Sequence, residues 1–326
     1  MHSPAGRAAA GRKIASEAEY SRLFMSCPRQ AAIIRSVTST DAHAEYDKLP
    51  SLIPSRSRQE LSNETPRIYW RNELRVAMSM RLTVVGSGDA FGSGGRFNTC
   101  FRVESADAAV LIDCGASTMV ALGAHRIDPN RLDGVIISHL HGDHFGGLPF
   151  LLIDAQYRSR RDRPLAIAGP PGTRARLDAA LELLFPGSTA TKWRFAWEVR
   201  EIEPGRPQEL LGHCVTTTEV PHPSGAPSTA VRFSNGAATL AYSGDTEWTD
   251  ALRSVADGAN LFIVECSGYA GRIPWHLTWD TLKPRLPQLN AHRLMVTHMN
   301  PEALAHVEEI RAAGVLVAED GAVVDL

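Results

Sequence analysis

Four side chains that can bind metal ions lie close together between residues 139 and 144. They belong to the sequence His139-Leu140-His141-Gly142-Asp143-His144. Zinc in proteins binds imidazole nitrogens at ~2.0–2.1 Å and carboxylate oxygens at similar distances. Because alternate side chains of an extended segment share one face, His139 and His141 can bind the same ion. A turn at Gly142 would then direct Asp143 and His144 towards a second ion, so this stretch predicts a site for two metals.

A loop of this length cannot complete two tetrahedral sites, so further ligands are expected later in the chain. Three polar residues follow predicted strands: His222 after residues 215–220, Asp245 after 239–243 and His298 after 293–297. Residues just beyond strand ends lie in loops at the rim of a sheet, where functional side chains concentrate. Each residue alone could be an ordinary turn residue, but together with the first cluster they predict one converging site.

The composition argues against several classes of protein. With 34 basic and 36 acidic residues the formal net charge is −2, without the basic excess typical of nucleic-acid-binding proteins. The five cysteines include no CxxC pair, so neither a disulfide framework nor a cysteine zinc site is predicted, and a cytoplasmic location is expected. No apolar stretch reaches the ~18–20 residues of a membrane-spanning helix, so no membrane association is predicted.

The character of the sequence changes near Met80. Residues 1–79 are rich in Ser, Arg and Ala and have no sustained strand pattern, which predicts a disordered or loosely packed N-terminal extension. A small helical cap is the alternative for this segment. Over residues 80–326, apolar strands alternate with helical segments. This alternation predicts one α/β domain in which helices pack on the outside of sheets.

The predicted elements position the metal-binding residues. Strand 134–137 runs directly into the histidine-rich stretch, and a helix is predicted over 146–158 after it. Glycines between residues 86 and 95 punctuate a long loop after strand 82–85. They favour a tight turn near the metal rim over a phosphate-binding loop, because their spacing is not that of a Walker motif. A last helix is predicted over 301–313.

The histidine-rich motif, His222, the Gly-Asp-Thr turn at Asp245 and the Thr-His pair at His298 together resemble the metallo-β-lactamase superfamily. Within that superfamily the pattern is most similar to the ribonuclease Z branch of tRNA 3′-end endonucleases and its phosphodiesterase relatives. The resemblance covers residues 80–326. It implies a four-layer αββα sandwich with metal ions at the rim between two sheets, in a protein that forms a homodimer.

The resemblance also implies how the ligands divide between the metals. One zinc ion would take His139, His141 and His222, and the other would take Asp143, His144 and His298, with Asp245 bridging the two. Manganese or iron could replace zinc at such a site. Asn98 and Asp113 are candidates for orienting the ligands, and ordinary turn roles are equally open for them.

Asp143, Glu265 and His276 are the predicted catalytic residues. Glu265 ends a strand and His276 begins a helix, and the superfamily branch has a glutamate and a histidine in such settings near the scissile phosphate. Asp143 would accept a proton from the nucleophile. His276, held and charged by Glu265, would either stabilise the phosphorane or help to protonate the leaving oxygen. Hydroxide generated at the metals would attack phosphorus, which predicts a metal-dependent phosphodiesterase. A thioester or lactone hydrolase using the same metals is the alternative.

The sequence departs from long-armed ribonuclease Z in one respect. The turn Gly169-Pro170-Pro171-Gly172 leads directly into one predicted helix, with no room for the arm that grips tRNA. The basic run from Arg158 to Arg163 is the best local candidate for contact with a polyanion, although a solvated face is the default. The substrate is therefore expected to be a phosphodiester, either an RNA 3′ end or a smaller molecule such as a cyclic nucleotide.

Overall fold

The computed structural model describes residues 80–326 of the chain. The N-terminal extension predicted for residues 1–79 lies outside the described residues. Within the described part, the predicted alternation of strands and helices is present. No helix there is both long and apolar enough to cross a lipid bilayer.

The described strands form two sheets of seven strands each. The first sheet contains β1 (Arg81–Gly86), β2 (Cys100–Glu104), β3 (Ala109–Ile112), β4 (Gly134–Ile136), β5 (Leu165–Gly169), β6 (Trp197–Glu201) and β14 (Val323–Asp325). The second contains β7 (Gln208–Leu210), β8 (His213–Val220), β9 (Ser228–Ser234), β10 (Thr239–Tyr242), β11 (Leu261–Glu265), β12 (Leu294–Thr297) and β13 (Leu316–Val317). Their orders are β14-β1-β2-β3-β4-β5-β6 and β13-β12-β11-β10-β9-β8-β7.

The two sheets have the same plan. In the first, β1, β2 and β3 pair antiparallel, and β3 to β6 continue as parallel neighbours. In the second, β7 to β10 pair antiparallel, and β10 to β13 are parallel. Parallel neighbours end at the same edge of a sheet, so each sheet presents a row of carboxyl-terminal strand ends from which loops can meet.

The helices pack on the outer faces of the sheets. They are α1 (Thr118–Ala124), α2 (Gly142–Phe145), α3 (Leu148–Ile153), α4 (Thr173–Leu184), α5 (Ala251–Ala256), α6 (Trp279–Leu282), α7 (Pro301–Leu304) and α8 (Val307–Ala312). A π-helical turn continues α3 over Asp154–Arg158, and a 3₁₀ segment continues α6 over Lys283–Gln288.

Alternation along the strands divides the core into layers. In β4, Ile136 joins the cluster between the two sheets, whereas Val135 faces the helices outside the first sheet. In β11, Ile263 points between the sheets and Phe262 packs against the outer helices of the second. Successive strand side chains point to opposite faces, so both faces of each sheet are apolar and buried. The predicted four-layer αββα sandwich is confirmed.

The structure corrects three details of the predicted elements. Residues 301–313 form two short helices, because the chain leaves the helical path at His306. The helix predicted over 146–158 ends as regular α-helix at Ile153. Strand β2 (Cys100–Glu104) was not predicted; it pairs antiparallel with β1 on one side and with β3 on the other.

Phe262 gives a test of the outer core. Its side chain is fully buried, so Phe262→Ala should lower the free energy of unfolding by ~3–5 kcal/mol through lost burial and the cavity left behind. Phe91, 93% exposed, is the matched control, and Phe91→Ala should change stability by no more than ~0.5 kcal/mol. Denaturant titrations followed by circular dichroism measure both. Equal effects of the two substitutions would contradict the assignment of Phe262 to this core.

Candidate metal centre

The metal-binding side chains predicted from the sequence converge on one rim of the sandwich. The histidine-rich segment follows β4, and its Asp143 and His144 lie in the single turn of α2. His222, Asp245 and His298 follow β8, β10 and β12. These three strands run in the same direction, because β8 and β10 both pair antiparallel with β9 and β12 is parallel to the β10–β11 pair. Four separate segments therefore meet at one place.

Asp113, at the end of β3, fixes two of the histidines from behind. The Nδ1–H of His144 donates to Asp113 Oδ2 over 2.7 Å. The hydroxyl of Ser138 donates to the same oxygen over 2.8 Å and accepts the Nδ1–H of His139 over 3.0 Å. With their Nδ1 atoms bonded in this way, His139 and His144 each have Nε2 as the ring nitrogen left to face the site.

His139, His141 and His222 form the first group of donors. Their ring centroids are 4.8 to 5.0 Å apart, and their planes meet at steep angles. The Nδ1–H of His222 donates to the carbonyl oxygen of Trp275 over 2.9 Å, and its Nε2 lies 3.0 Å from Nδ1 of His141. Three imidazole nitrogens converging in this way match the protein ligands of a tetrahedral zinc site with one open position.

Asp143, His144, Asp245 and His298 form the second group. Oδ2 of Asp143 lies 3.1 Å from His144 Nε2 and 3.2 Å from His298 Nε2. Oδ2 of Asp245 lies 3.3 Å from each of the same two nitrogens. It is also 3.8 Å from His139 Nε2 in the first group. Asp245 is therefore the side chain that faces both groups of donors.

Several buried polar atoms at this rim lack a hydrogen-bond partner within the described protein. They include Nε2 of His139, Nε2 of His144 and Oδ1 of Asp245. A buried polar atom without a partner costs free energy, so native proteins pair such atoms with protein, water or a metal ion. Lone pairs of imidazole and carboxylate groups directed at a common centre suit a divalent cation. The donor set therefore fits a metal ion, and its nitrogen-rich character suits zinc.

The charge states of these side chains also suit a cation. Burial lowers the pKa of His139 and of His222, so both imidazoles are neutral at physiological pH. Burial by itself raises the pKa of Asp143, but the adjacent His144 and His298 outweigh that effect and lower it well below its usual range. The site thus presents His139 and His222 as neutral imidazoles and Asp143 as an ionised carboxylate, which are the forms that bind metals.

The backbone is strained at two of the positions that build the rim. Asp113 and His298 have left-handed φ angles of 62° and 61°, which are uncommon for residues other than glycine. The His298 amide donates to the Ser87 carbonyl over 3.1 Å, which helps to hold this conformation. A Cβ atom at Gly115 would lie 1.9 Å from the Asp143 carbonyl oxygen, so only glycine lets the two loops approach this closely. Strain of this kind is typical of functional sites.

Glu265 and His276 lie beside both groups of donors. The Nδ1–H of His276 donates to the two carboxylate oxygens of Glu265 over 3.1 and 3.2 Å, and Glu265 is fully buried. The His276 ring centroid is 4.9 Å from that of His222 and 5.6 Å from that of His298. Burial alone lowers the pKa of His276, but the bond to Glu265 and its charge outweigh burial and raise the pKa to about 9.

Comparison with known protein families identifies the chain. The family model for the anti-Pycsar protein Apyc1 matches residues 80–320, which include every side chain described at the rim. The chain belongs to the Apyc1 family. A curated relative of this Apyc1-family chain is a ribonuclease Z from Mycobacterium sp. (strain KMS), 26% identical over 249 residues. The aligned region covers 73% of this chain and 82% of that relative.

Solved structures show the same fold. The metallo-β-lactamase fold protein YhfI from Bacillus subtilis superposes with a TM-score of 0.61 at 23% identity, covering 76% of this chain and all of YhfI (100%). The short form of human tRNase Z gives a TM-score of 0.61 at 24% identity, covering 75% and 98% of the two chains. The predicted superfamily and its ribonuclease Z-like branch are confirmed, and the Apyc1-family chain is a metal-dependent hydrolase.

Asp113 and Asn98 differ in how they relate to the candidate ligands of this Apyc1-family chain. Asp113 bonds to His144 and Ser138 as described. Asn98 instead bonds to the Asp89 carbonyl and to the backbone amide of Ser117, so it joins two loops and contacts none of the candidate ligands through these bonds. From the sequence, both residues were equal candidates for orienting the ligands, because each lies next to a strand and near a glycine.

The glycine-rich loop and the basic run also have defined structures. Asp89 accepts hydrogen bonds from the backbone amides of Phe91 and Ser93, which makes the glycine-rich segment a tight turn. In the basic run, Arg161 is buried and donates to backbone carbonyl oxygens, including that of Leu132 over 2.7 Å. This run precedes β5, so it lies at the end of the sheet opposite the metal rim. Arg161 is therefore not available for contact with a polyanion, and the prediction is wrong for this member of the run.

Three contributors to the site of this Apyc1-family chain were missed in the sequence. Ser138 bonds to Asp113, the carbonyl of Trp275 bonds to His222, and Glu247 contacts the loop that carries Trp275. Ser138 could have been suspected because it directly precedes the histidine-rich motif. A backbone carbonyl leaves no signal in the residue type, and Glu247 has the ordinary character of a loop glutamate.

Asp113→Asn tests whether Asp113 orients the candidate ligands. The amide is neutral and can turn its NH₂ group towards His144, which favours the wrong tautomer, so affinity for zinc should fall by about 10- to 100-fold. Competition with a chromophoric chelator measures that affinity. Asp250→Asn is the matched control, since Asp250 is exposed and pairs with Arg253 on the surface. Unchanged zinc affinity in the Asp113 variant would contradict this role.

Proposed function

We propose that the chain hydrolyses phosphodiesters with two zinc ions bound at the rim. His139, His141 and His222 would hold one ion, and Asp143, His144 and His298 would hold the other, with Asp245 between them. The convergence of these seven side chains and the unpartnered lone pairs among them support the proposal. Manganese or iron in place of zinc would leave the chemistry of the proposal unchanged.

The Glu265–His276 pair is the observation that favours a phosphodiester as the substrate over a thioester or a lactone. The His276 ring centroid lies 4.9 Å from that of His222 and 5.6 Å from that of His298, and His276 uses Nδ1 to bond Glu265. This leaves Nε2 available to a substrate at the metals. Departure of an alkoxide from phosphorus requires a proton, and a charged imidazole is a suitable donor. An acyl thioester has a better leaving group and has less need of such a pair.

The protein side chains would divide the proton transfers as follows. When bound, the two ions supply Lewis acidity that lowers the pKa of a water molecule to ~7 and neutralises charge on the phosphate. Oδ2 of Asp143 faces His144 and His298, so Oδ1 is the atom that accepts the proton of the attacking water. His276 donates a proton from Nε2 to the leaving oxygen, and Glu265 stabilises the charged imidazole. One P–O bond forms from water as the ester P–O bond breaks.

A small phosphodiester, such as a cyclic nucleotide, fits the surroundings of the site better than tRNA. Residues 169–172 connect β5 directly to α4, so no arm is inserted where long-armed ribonuclease Z carries one. The net charge of −2 adds no basic field. The run around Arg161 lies at the opposite end of the sheet. We further propose that the chain acts in the cytoplasm as a homodimer. Sedimentation analysis of the purified chain would test the oligomeric state.

Metal analysis combined with a substrate panel tests the proposed function. We expect two zinc ions per chain by atomic emission, and hydrolysis of bis(p-nitrophenyl) phosphate and of cyclic nucleotides. Precursor tRNA, an acyl thioester and a lactone complete the panel, and we expect little turnover of these three. Cleavage of the thioester or lactone alone, or a His141→Ala variant that keeps full zinc and full activity, would rule the proposal out.

A further inference from the structure

The loop between β11 and α6 is held by hydrogen bonds to Glu247, which belongs to another segment of the chain. Oε1 of Glu247 accepts a hydrogen bond from the backbone amide of Trp275 over 3.0 Å and another from Arg272 Nη2 over 3.1 Å. The backbone amide of Glu247 donates to the Pro221 carbonyl over 3.3 Å. Glu247 thus joins its own segment, which follows Asp245, to two others, one preceding His222 and one preceding His276.

The conformation fastened by Glu247 is unfavourable for the residue that adopts it. Trp275 has a φ of 68°, in the left-handed region that bulky side chains avoid. Such a conformation persists only where the surroundings hold it in place. Here the Trp275 amide is held by Glu247 and its carbonyl by Nδ1 of His222, so both sides of this residue are fixed.

Two side chains of the candidate site depend on this strained residue. The Trp275 carbonyl accepts the Nδ1–H of His222, which leaves Nε2 of that ring directed at His141. The next residue is His276, whose ring must meet the buried Glu265. A change of backbone direction at Trp275 would therefore move His276 and release His222 together.

We propose that Glu247 is a positioning residue for the hydrolytic reaction. By fastening the segment from Arg272 to His276 in its strained conformation, it sets the tautomer of His222 and the approach of His276 to the leaving group. The role of His276 in this inference depends on the proposed phosphodiesterase function, whereas the role of His222 depends only on metal binding. Glu247 itself contacts no predicted ligand through these bonds.

Glu247→Ala and Arg272→Ala separate the two bonds of the carboxylate. Assayed at saturating zinc, Glu247→Ala should lower kcat by about 10- to 100-fold on a phosphodiester with an alkyl leaving group, and much less on bis(p-nitrophenyl) phosphate, whose leaving group needs no proton. KM should change little. Zinc affinity, measured by chelator competition, should also fall. Arg272→Ala keeps the bond to the Trp275 amide, and Glu247→Gln keeps an acceptor for it, so both should retain most of the activity.

Glu308→Gln is the matched control, because the Glu308 side chain is exposed and forms an ion pair with Arg311 of the same helix. If Glu247→Ala does not fold, Glu247→Asp withdraws the acceptor while keeping the charge and should show the same selective loss. An equal loss on both leaving groups, or unchanged kcat and zinc affinity, overturns the inference. If the wild-type protein cleaves no phosphodiester, the proposed function fails, and the zinc affinity of the Glu247 variants then decides the positioning role by itself.

Discussion

Replacing Asp245 with asparagine should abolish most of the hydrolytic activity, with kcat reduced on the order of 10²–10³-fold. Asp245 Oδ2 lies 3.3 Å from the nitrogens of His144 and His298 and 3.8 Å from that of His139, so its negative charge faces both groups of donors. Asparagine has nearly the same shape, but it is neutral. Two cations close together would lose the carboxylate that offsets their repulsion, and at least one should bind much more weakly.

Steady-state kinetics and zinc content by atomic emission measure this effect on one preparation. Asp250→Asn serves as the control, since the side chain of Asp250 is 76% exposed and pairs only with Arg253 at the surface among the described residues. It should leave both readouts unchanged. If the Asp245 variant kept two zinc ions and normal turnover, the rim could not be the site of a shared pair of metals.

The convergence of the donors could be predicted because each signal is local. The motif from His139 to His144 contains four potential ligands in six residues, and its strand is visible as an apolar run. His222, Asp245 and His298 each follow a strand, and strand ends of an α/β sheet meet at a rim. Residue type and strand position together were therefore enough to bring seven side chains to one place.

The interactions that orient those donors could not be predicted, because they join residues far apart in sequence. Asp113 reaches His144 across 31 positions, and Trp275 reaches His222 through a carbonyl oxygen that every residue type possesses. The left-handed φ of His298 likewise depends on what surrounds it. These features follow from packing between distant segments, which periodicity and propensity do not encode.

The shared plan of the two sheets is another property that the sequence conceals. The order of antiparallel and then parallel pairings is the same in both, so β3 and β4 of the first sheet correspond to β10 and β11 of the second. No periodic repeat of residues accompanies this correspondence, since many apolar sequences satisfy the same burial pattern. The carboxyl-terminal ends of these strands and the loops after them carry Asp113 and His139 in one sheet and Asp245 and Glu265 in the other, which explains how both sheets contribute to one rim.

His276→Ala should reduce kcat by about 10²–10⁴-fold on phosphodiesters with alkyl leaving groups. The physical reason is that Nδ1 of His276 is held by the fully buried Glu265, so its other nitrogen is available to protonate the departing oxygen. On bis(p-nitrophenyl) phosphate, whose nitrophenolate departs without a proton, the reduction should be much smaller. Plots of log kcat against the pKa of the leaving group, measured for both proteins, should be steeper for the variant.

Glu265→Gln provides the complementary measurement. Glutamine can still accept the Nδ1–H of His276, but it no longer stabilises a charged imidazole. On phosphodiesters with alkyl leaving groups, kcat of Glu265→Gln should therefore lie between that of the wild type and that of His276→Ala. Zinc content should be unchanged in both variants, because neither residue belongs to the proposed ligand set. A uniform loss across all leaving groups, with zinc retained, would assign the pair to binding of the phosphate oxygens. Proton donation at the leaving group would then have to come from elsewhere.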